Sequence, residues 1–254
     1  MGTIKAVMFD FDGVLFDTEP LHFEMFRQVL RMEGVTLAPD RYHARYVGLT
    51  DQACFRAVLT DSGWTAVTAE TLDRLVQCKT RLMQEALRKA LPVLSGAREF
   101  VAAVTETCRT AIASGALRQE IALCLELAGM TSMFEHISAA QDVRQGKPDP
   151  ALYLHALGAL NRRSPLGAHE CVAFEDTPHG IEAARKAGMR CVGVATTLPE
   201  SRLVQADLVV SSLHALPLSQ VLAHLSAECD EAPRRRRIVT QHFYGDEAPV
   251  TDRR

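Results

Sequence analysis

The chain has 254 residues, 47% hydrophobic and 23% charged, the make-up of a soluble globular protein with one large domain or a core carrying an insert. A net charge of −3 excludes bulk attraction to nucleic acid, and no apolar run reaches the roughly 18 residues of a membrane span. Seven scattered cysteines without a C-x-x-C pair fit reduced thiols, not a disulfide framework or a zinc site.

Residues Ile4 to Phe9 form a short, almost wholly apolar run, the pattern of a strand buried on both faces. Met1 leads into it almost at once, so no signal peptide is expected, and the expected location is the cytoplasm. The run ends in Asp10-Phe11-Asp12-Gly13. Alternation along an extended chain puts Asp10 and Asp12 on one side. Two like charges that close cost energy unless a cation or a shared proton offsets them.

From Thr18 the pattern turns helical. A helix opens near Glu19-Pro20 and stops at Gly34; others lie near Asp40 to Tyr46 and from Asp51 to Leu59. The longest starts at Glu70 and is ended by Pro92. No convincing strand interrupts residues 18–91, which read as a helical insert. Beyond Pro92, helices and strands alternate: helix 96–107, strand 109–114, helix 117–128, strand 136–139, helix 150–160, strand 171–176 and helix 178–187. Two further strands follow, "RCVGVAT" and "ADLVVSS". Such alternation implies an α/β fold with a parallel sheet covered on both faces, joined by the first strand. The core is therefore expected over 1–17 and 92–225. Residues 226–254 lack periodicity and carry six acidic and six basic side chains, including Arg234 to Arg237, and read as a flexible tail.

In open α/β sheets the reactive groups gather beyond the carboxyl ends of the strands. Those ends offer Asp10 and Asp12, Ser114 with Gly115, Lys147 in the loop Gly146-Lys147-Pro148, and Glu175-Asp176. Each has an ordinary reading alone: a solvated acidic loop, a helix cap, a solvated lysine, an acidic pair at a helix N-terminus. An EF-hand does not fit Asp10-x-Asp12, because Gly13 follows the second aspartate directly and Val14 occupies the fifth position. The four groups gain weight together, since they occur in order, each at a strand end, and suit a hard cation beside an anionic oxygen group.

The segments "DFDGVLFDTE", "ASG", "GKPDP" and "FEDTPHGIEAARKAGM" resemble the four motifs of the haloacid dehalogenase-like hydrolases, and within them the β-phosphoglucomutase-like phosphatases. The resemblance spans roughly residues 4–215 and implies a Rossmann-like core with an inserted all-helical cap over 18–91. It implies that Asp10 is the nucleophile on a phosphoryl group and forms an aspartyl-phosphate. Asp12 would be the acid and base, with a raised pKa. Ser114 and Lys147 would hold the phosphoryl oxygens. Mg²⁺ would be held by Asp10, the Asp12 backbone carbonyl, Asp176 and Glu175. Gly115 would let a ligand approach the backbone.

Thr18, His22, Gly48 and Lys79 match positions where the mutases of this group meet substrate. The ordinary reading of His22 and Lys79 is a partly buried histidine and a solvated helix charge. A mutase arginine that grips a second phosphate lies three residues after a glycine matching Gly48; here that residue is Asp51, which would repel phosphate. The acid at Asp12 argues against haloalkanoate dehalogenation, and the first motif against phosphonate cleavage. The expectation is a Mg²⁺-dependent phosphatase for a small phosphorylated metabolite such as a sugar phosphate. Its alternatives are a β-phosphoglucomutase-like transferase and a catalytically silent metal-binding module. A small phosphorylated substrate is the expected partner, with neither nucleic acid nor membrane. A monomer is expected, with a homo-oligomer left open.

Overall fold

The computed structural model describes residues 3–214 and 216–227. Six parallel strands form one sheet: β1 (Ala6–Phe9), β2 (Arg109–Ala113), β3 (His136–Ser138), β4 (Cys171–Glu175), β5 (Arg190–Val194) and β6 (Leu208–Val210). Their order is β3-β2-β1-β4-β5-β6, with β1 pairing to β2 and β4. The register sets Phe9 beside Ile112 on one side and Phe174 on the other, so the ends of the central strands are level.

Every residue of β1 is buried because both faces are covered. Val7 and Phe9 join Ile112, Val172, Phe174 and Val192 on one face. Ala6 and Met8 join Ala111, Ala113, Cys171 and Ala173 on the other. The large face receives α5 (Ala97–Thr105), α6 (Arg118–Leu127) and α9 (Leu218–Ala227). The small-residue face receives α7 (Ala151–Asn161) and α8 (Pro178–Lys186). Phe9 stacks on Phe174 at 5.3 Å between ring centroids and meets Phe100 and Phe134 edge-on. Burying one such ring is worth roughly 1.5–3 kcal/mol. The stack fixes the two strand ends that lead into Asp10 and Glu175.

Between β1 and α5 the chain makes four helices, α1 (Glu19–Met32), α2 (Pro39–Arg45), α3 (Asp51–Asp61) and α4 (Ala69–Lys89). They close around an apolar cluster of their own, in which Phe26, Leu30, Tyr42, Phe55, Leu59 and Leu75 are buried. Thr50 and Thr68 cap α3 and α4 by accepting from the backbone N–H three residues on. Met83 and Leu87 of α4 instead enter the core cluster, where α4 packs on α6.

Two differences from the sequence reading stand out. Helix α9 was not expected; its buried Val221 and Leu225 lie one turn apart, too short a pattern to separate from a polar tail. Strands β3 and β6 are only three residues long. The flexible tail expected from 226 meets the end of α9 at its first two residues, and its remainder, 228–254, lies outside the described residues. Six cysteines are free among the described residues, five of them buried.

Candidate active site

The site begins where β1 stops. Asp10 lies one residue past the strand, its N–H donating to the Phe174 carbonyl at 2.9 Å. The chain then turns through Gly13, at φ +73°, whose N–H donates to the Phe16 carbonyl at 2.7 Å. No other residue fits Gly13: an added Cβ would lie 2.0 Å from Asp176 Oδ2 and 2.4 Å from Thr197 Oγ1. Thr196 donates its hydroxyl to the Gly13 carbonyl, tying this turn to the loop after β5.

Because β3, β2, β1 and β4 are neighbours, the four motif-bearing strand ends are contiguous. Lys147 reaches from the loop after β3 into the centre, its Nζ 2.9 Å from Asp10 Oδ1 and 2.6 Å from Glu175 Oε1. Tyr153 of α7 donates to Glu175 Oε1 at 2.5 Å, with the Lys147 ammonium 5.5 Å from the centre of its ring. Asp10, Glu175 and Asp176 are all buried, and one oxygen from each lies within 4.8 Å of the others. Three carboxylates face one ammonium. Glu175 Oε2 and Asp176 Oδ1 are buried with no hydrogen-bond partner.

The electrostatics follow. Burial, then the Asp10 charge, pushes Glu175 up to about 7 against the pull of Lys147 and Tyr153. Burial, with Asp10 and Glu175 beside it, raises Asp176 well above the carboxylate range. Burial disfavours the Lys147 ammonium, but Asp10 and Glu175 outweigh it, and its pKa lies above the ordinary lysine value. A hard cation satisfies the orphan oxygens and removes the like-charge penalty, so the donor set fits Mg²⁺. Gly180 in the first turn of α8 leaves room for the cluster, since a Cβ there would fall 1.8 Å from Glu175 Oε2.

Asp12 faces other partners. Its Oδ1 accepts from the Thr18 hydroxyl and lies 3.8 Å from His22 Nε2. Its side chain is outside the Asp10–Glu175–Asp176 cluster. Any part Asp12 plays for a cation is therefore confined to its backbone, and the two aspartates do not share one set of contacts. The raised Asp12 pKa expected from the resemblance is corrected: enclosure raises it, but the approach and charge of His22, then Thr18 and Lys79, outweigh that and hold it below its ordinary value.

Behind Asp12 runs a chain of contacts through α1, α3 and α4. Lys79, fully buried, places its Nζ 2.7 Å from His22 Nδ1 and 2.6 Å from Asp51 Oδ1, over the Phe26 ring at 4.5 Å. With His22 neutral, Nδ1 accepts from Lys79 and the ring hydrogen lies on Nε2, towards Asp12; charging the ring, which Asp12 favours, gives up that acceptor. Burial and Lys79 oppose charging of His22, yet Asp12 draws its pKa above the ordinary value. Lys79 is thus no solvated charge, and Asp51 is no bare one: the two neutralise each other.

Ser114 is buried past the end of β2, with its hydroxyl accepting from the Ala116 N–H at 3.1 Å. A Cβ at Gly115 would meet nothing within 4 Å, so the space beside Ser114 is open. Gly48, at φ +81°, also faces open space in the turn before α3. Tyr153, Thr196 and Thr197 had no signal in the sequence; they are single polar residues on an apolar helix and in a loop. A cavity of about 500 Å³ lined by Thr50, Gln52, Arg56 and Asp61 on α3 contains none of the strand-end groups.

Residues 7–194 match the model of the haloacid dehalogenase-like hydrolase family. The chain belongs to the haloacid dehalogenase-like hydrolases. It is 32% identical over 214 residues to a phosphorylated carbohydrates phosphatase of Thermotoga maritima, covering 81% of this chain and 93% of that one. It is 28% identical over 219 residues to the β-phosphoglucomutase of Bacillus subtilis, with 85% and 92% covered. The β-phosphoglucomutase structure from Clostridium difficile superposes with a TM-score of 0.79 at 22% identity, covering 89% of this chain and 99% of that one. The expected family and α/β fold with a helical insert are those of these relatives. Phosphoric monoester hydrolysis is the activity class, in line with the phosphatase among them.

Proposed function

We propose that the protein hydrolyses small phosphorylated carbohydrates with Mg²⁺, through a phosphoryl group carried on Asp10. The observation that carries this reading is Lys147 Nζ held between Asp10 and Glu175, beside two buried carboxylate oxygens without partners. Asp10, Glu175 and Asp176 would hold the metal, with the Asp12 carbonyl. The ion, when bound, screens the anionic nucleophile from the anionic phosphate.

An Asp10 oxygen attacks phosphorus as the bond to the leaving oxygen breaks, and Asp12 gives that oxygen a proton. Lys147 and Ser114 hold the phosphoryl oxygens as charge shifts onto them. Asp12 then takes a proton from water, whose oxygen attacks the same phosphorus, and Asp10 is released as a carboxylate with inorganic phosphate. The contacts from Thr18 and His22 favour the ionised, proton-accepting form of Asp12. Its donating form needs those contacts loosened, which makes the insert that carries His22 a natural gate.

Hydrolysis is favoured over mutase transfer because Asp51 stands where a mutase arginine would grip a second phosphate, and Lys79 is already occupied by Asp51 and His22. The test is phosphate release from a panel of sugar and polyol phosphates, with EDTA and Asp10→Asn as controls. Release that requires both the metal and Asp10 is expected. Conversion of one sugar phosphate to its isomer without net phosphate release would overturn the hydrolase reading.

A further inference from the structure

Glu120 lies in the first turn of α6 and is 3% exposed. Its Oε1 has no hydrogen-bond partner. The charges of His22, Lys79, Asp51 and Asp12 act on it, and its helix packs against α4 of the insert. In the insert, Asp51 spends Oδ1 on Lys79 and leaves Oδ2 buried and unpartnered. Neither oxygen belongs to the reaction centre around Asp10. A buried acceptor left unmet costs about 1–3 kcal/mol, more when charged. Two of them, one from the core and one from the insert, belong to the group of charges around Asp12, the residue that protonates the leaving oxygen in the proposed reaction.

We infer that Glu120 and Asp51 form a leaving-group subsite that accepts hydrogen bonds from hydroxyls of the substrate. The inference rests on the phosphatase reading and specifies its substrate: a monophosphate ester rich in hydroxyls, without a second phosphate. A carboxylate is acceptor-only and a hydroxyl supplies the missing donor. A second phosphate offers no donor and adds a like charge. A site built around such acceptors discriminates strongly against an analogue that lacks the donors, because its own polar groups are then left unpaired. Glu120 is in this view a specificity-determining residue; it takes no part in phosphoryl transfer.

The test compares kcat/KM for sorbitol phosphate and hexyl phosphate, esters of similar length with and without hydroxyls, in wild type, Glu120→Leu and Glu120→Gln. The wild type is expected to prefer the polyol ester by at least about tenfold, as a charge-assisted hydrogen bond implies. That ratio is expected to collapse towards one in Glu120→Leu, with Glu120→Gln between. Should Glu120→Leu fail to fold, the isosteric Glu120→Gln carries the comparison. An unchanged ratio in a folded variant, or no wild-type preference, overturns the inference. Cleavage of p-nitrophenyl phosphate separates the two readings: if the wild type cleaves it without preferring the polyol ester, only the subsite falls. If it cleaves no phosphate ester at all, the phosphatase reading falls first.

Discussion

At the scale of single residues, the site works by placing charged atoms where burial makes them expensive and then compensating them. Asp10 is the clearest case, touching Lys147 on one side and the acidic cluster on the other. Asp10→Asn keeps the shape and removes the carboxylate oxygen proposed as the nucleophile. Phosphate release should fall by at least ~10³-fold while the thermal transition stays near that of wild type; steady-state assay and calorimetry check both. Gly180→Ala tests crowding. In a helix interior alanine is favoured over glycine by about 1 kcal/mol, yet here the new Cβ meets Glu175, which Lys147 and Tyr153 pin in place. Urea unfolding should show a net loss of roughly 1–3 kcal/mol, as overpacking does.

Glu120 gives a prediction in pH. Burial raises its pKa, Asp51 and Asp12 add to that, and His22 and Lys79 oppose it. Because its folded pKa exceeds the unfolded value, the folded state binds more protons there than the unfolded one. Glu120 therefore destabilises the fold increasingly as pH rises through the unfolded pKa, until the folded pKa is passed. Glu120→Gln should gain thermal stability relative to wild type at pH 8, and the gain should vanish below about pH 4, near the unfolded pKa. Melting curves across that range decide it; a gain that is the same at every pH contradicts the assignment.

At the scale of elements, the helical insert is held to the reaction centre by a polar thread through its own core. Thr18 and His22 of the α1 region meet Asp12, and Lys79 of α4 joins His22 to Asp51 of α3. Removing one partner of a buried ion pair costs about 3–5 kcal/mol, because the other charge is stranded. Lys79→Met should destabilise on that scale, and Asp51→Asn should recover part of the loss in the double variant, as a double-mutant cycle measures. Additive losses would mean that the pair is not coupled.

The elements themselves were largely legible in the sequence. Ile4 to Phe9 and "CVAFED" are apolar runs that end in acids, and their turn and helix signals are unambiguous. The strand-end groups were therefore found as a set. What lay beyond reach was contact made across the fold. Tyr153 is one hydroxyl on an apolar helix, Thr197 one of two threonines in a loop, and neither differs locally from a packing or turn residue. The lowered Asp12 pKa was out of reach for the same reason: burial raises it, and the opposing contacts of His22 and Thr18 depend on how the insert packs on the core.

At the scale of the whole molecule, a parallel sheet with four contiguous strand ends gathers Asp10, Ser114, Lys147 and Glu175-Asp176, and the helical insert reaches Asp12 beside them through Thr18 and His22. No helix among the described residues is long and apolar enough to cross a membrane. A cation bound at the acidic cluster should stabilise the entire fold, by about 2.7 kcal/mol when the ion is at a hundredfold its Kd. Mg²⁺ should raise the melting temperature of the wild type, and Asp176→Ala should lose that response.

The central claim, that Asp10 carries the phosphoryl group, is tested most directly by an acid-quenched single turnover with Mg²⁺ and peptide mass spectrometry. The mechanism predicts one added phosphoryl mass on the peptide containing Asp10, absent in Asp10→Asn. Full phosphate release from the wild type with that peptide unmodified at every quench time, together with an active Asp10→Asn, would contradict it.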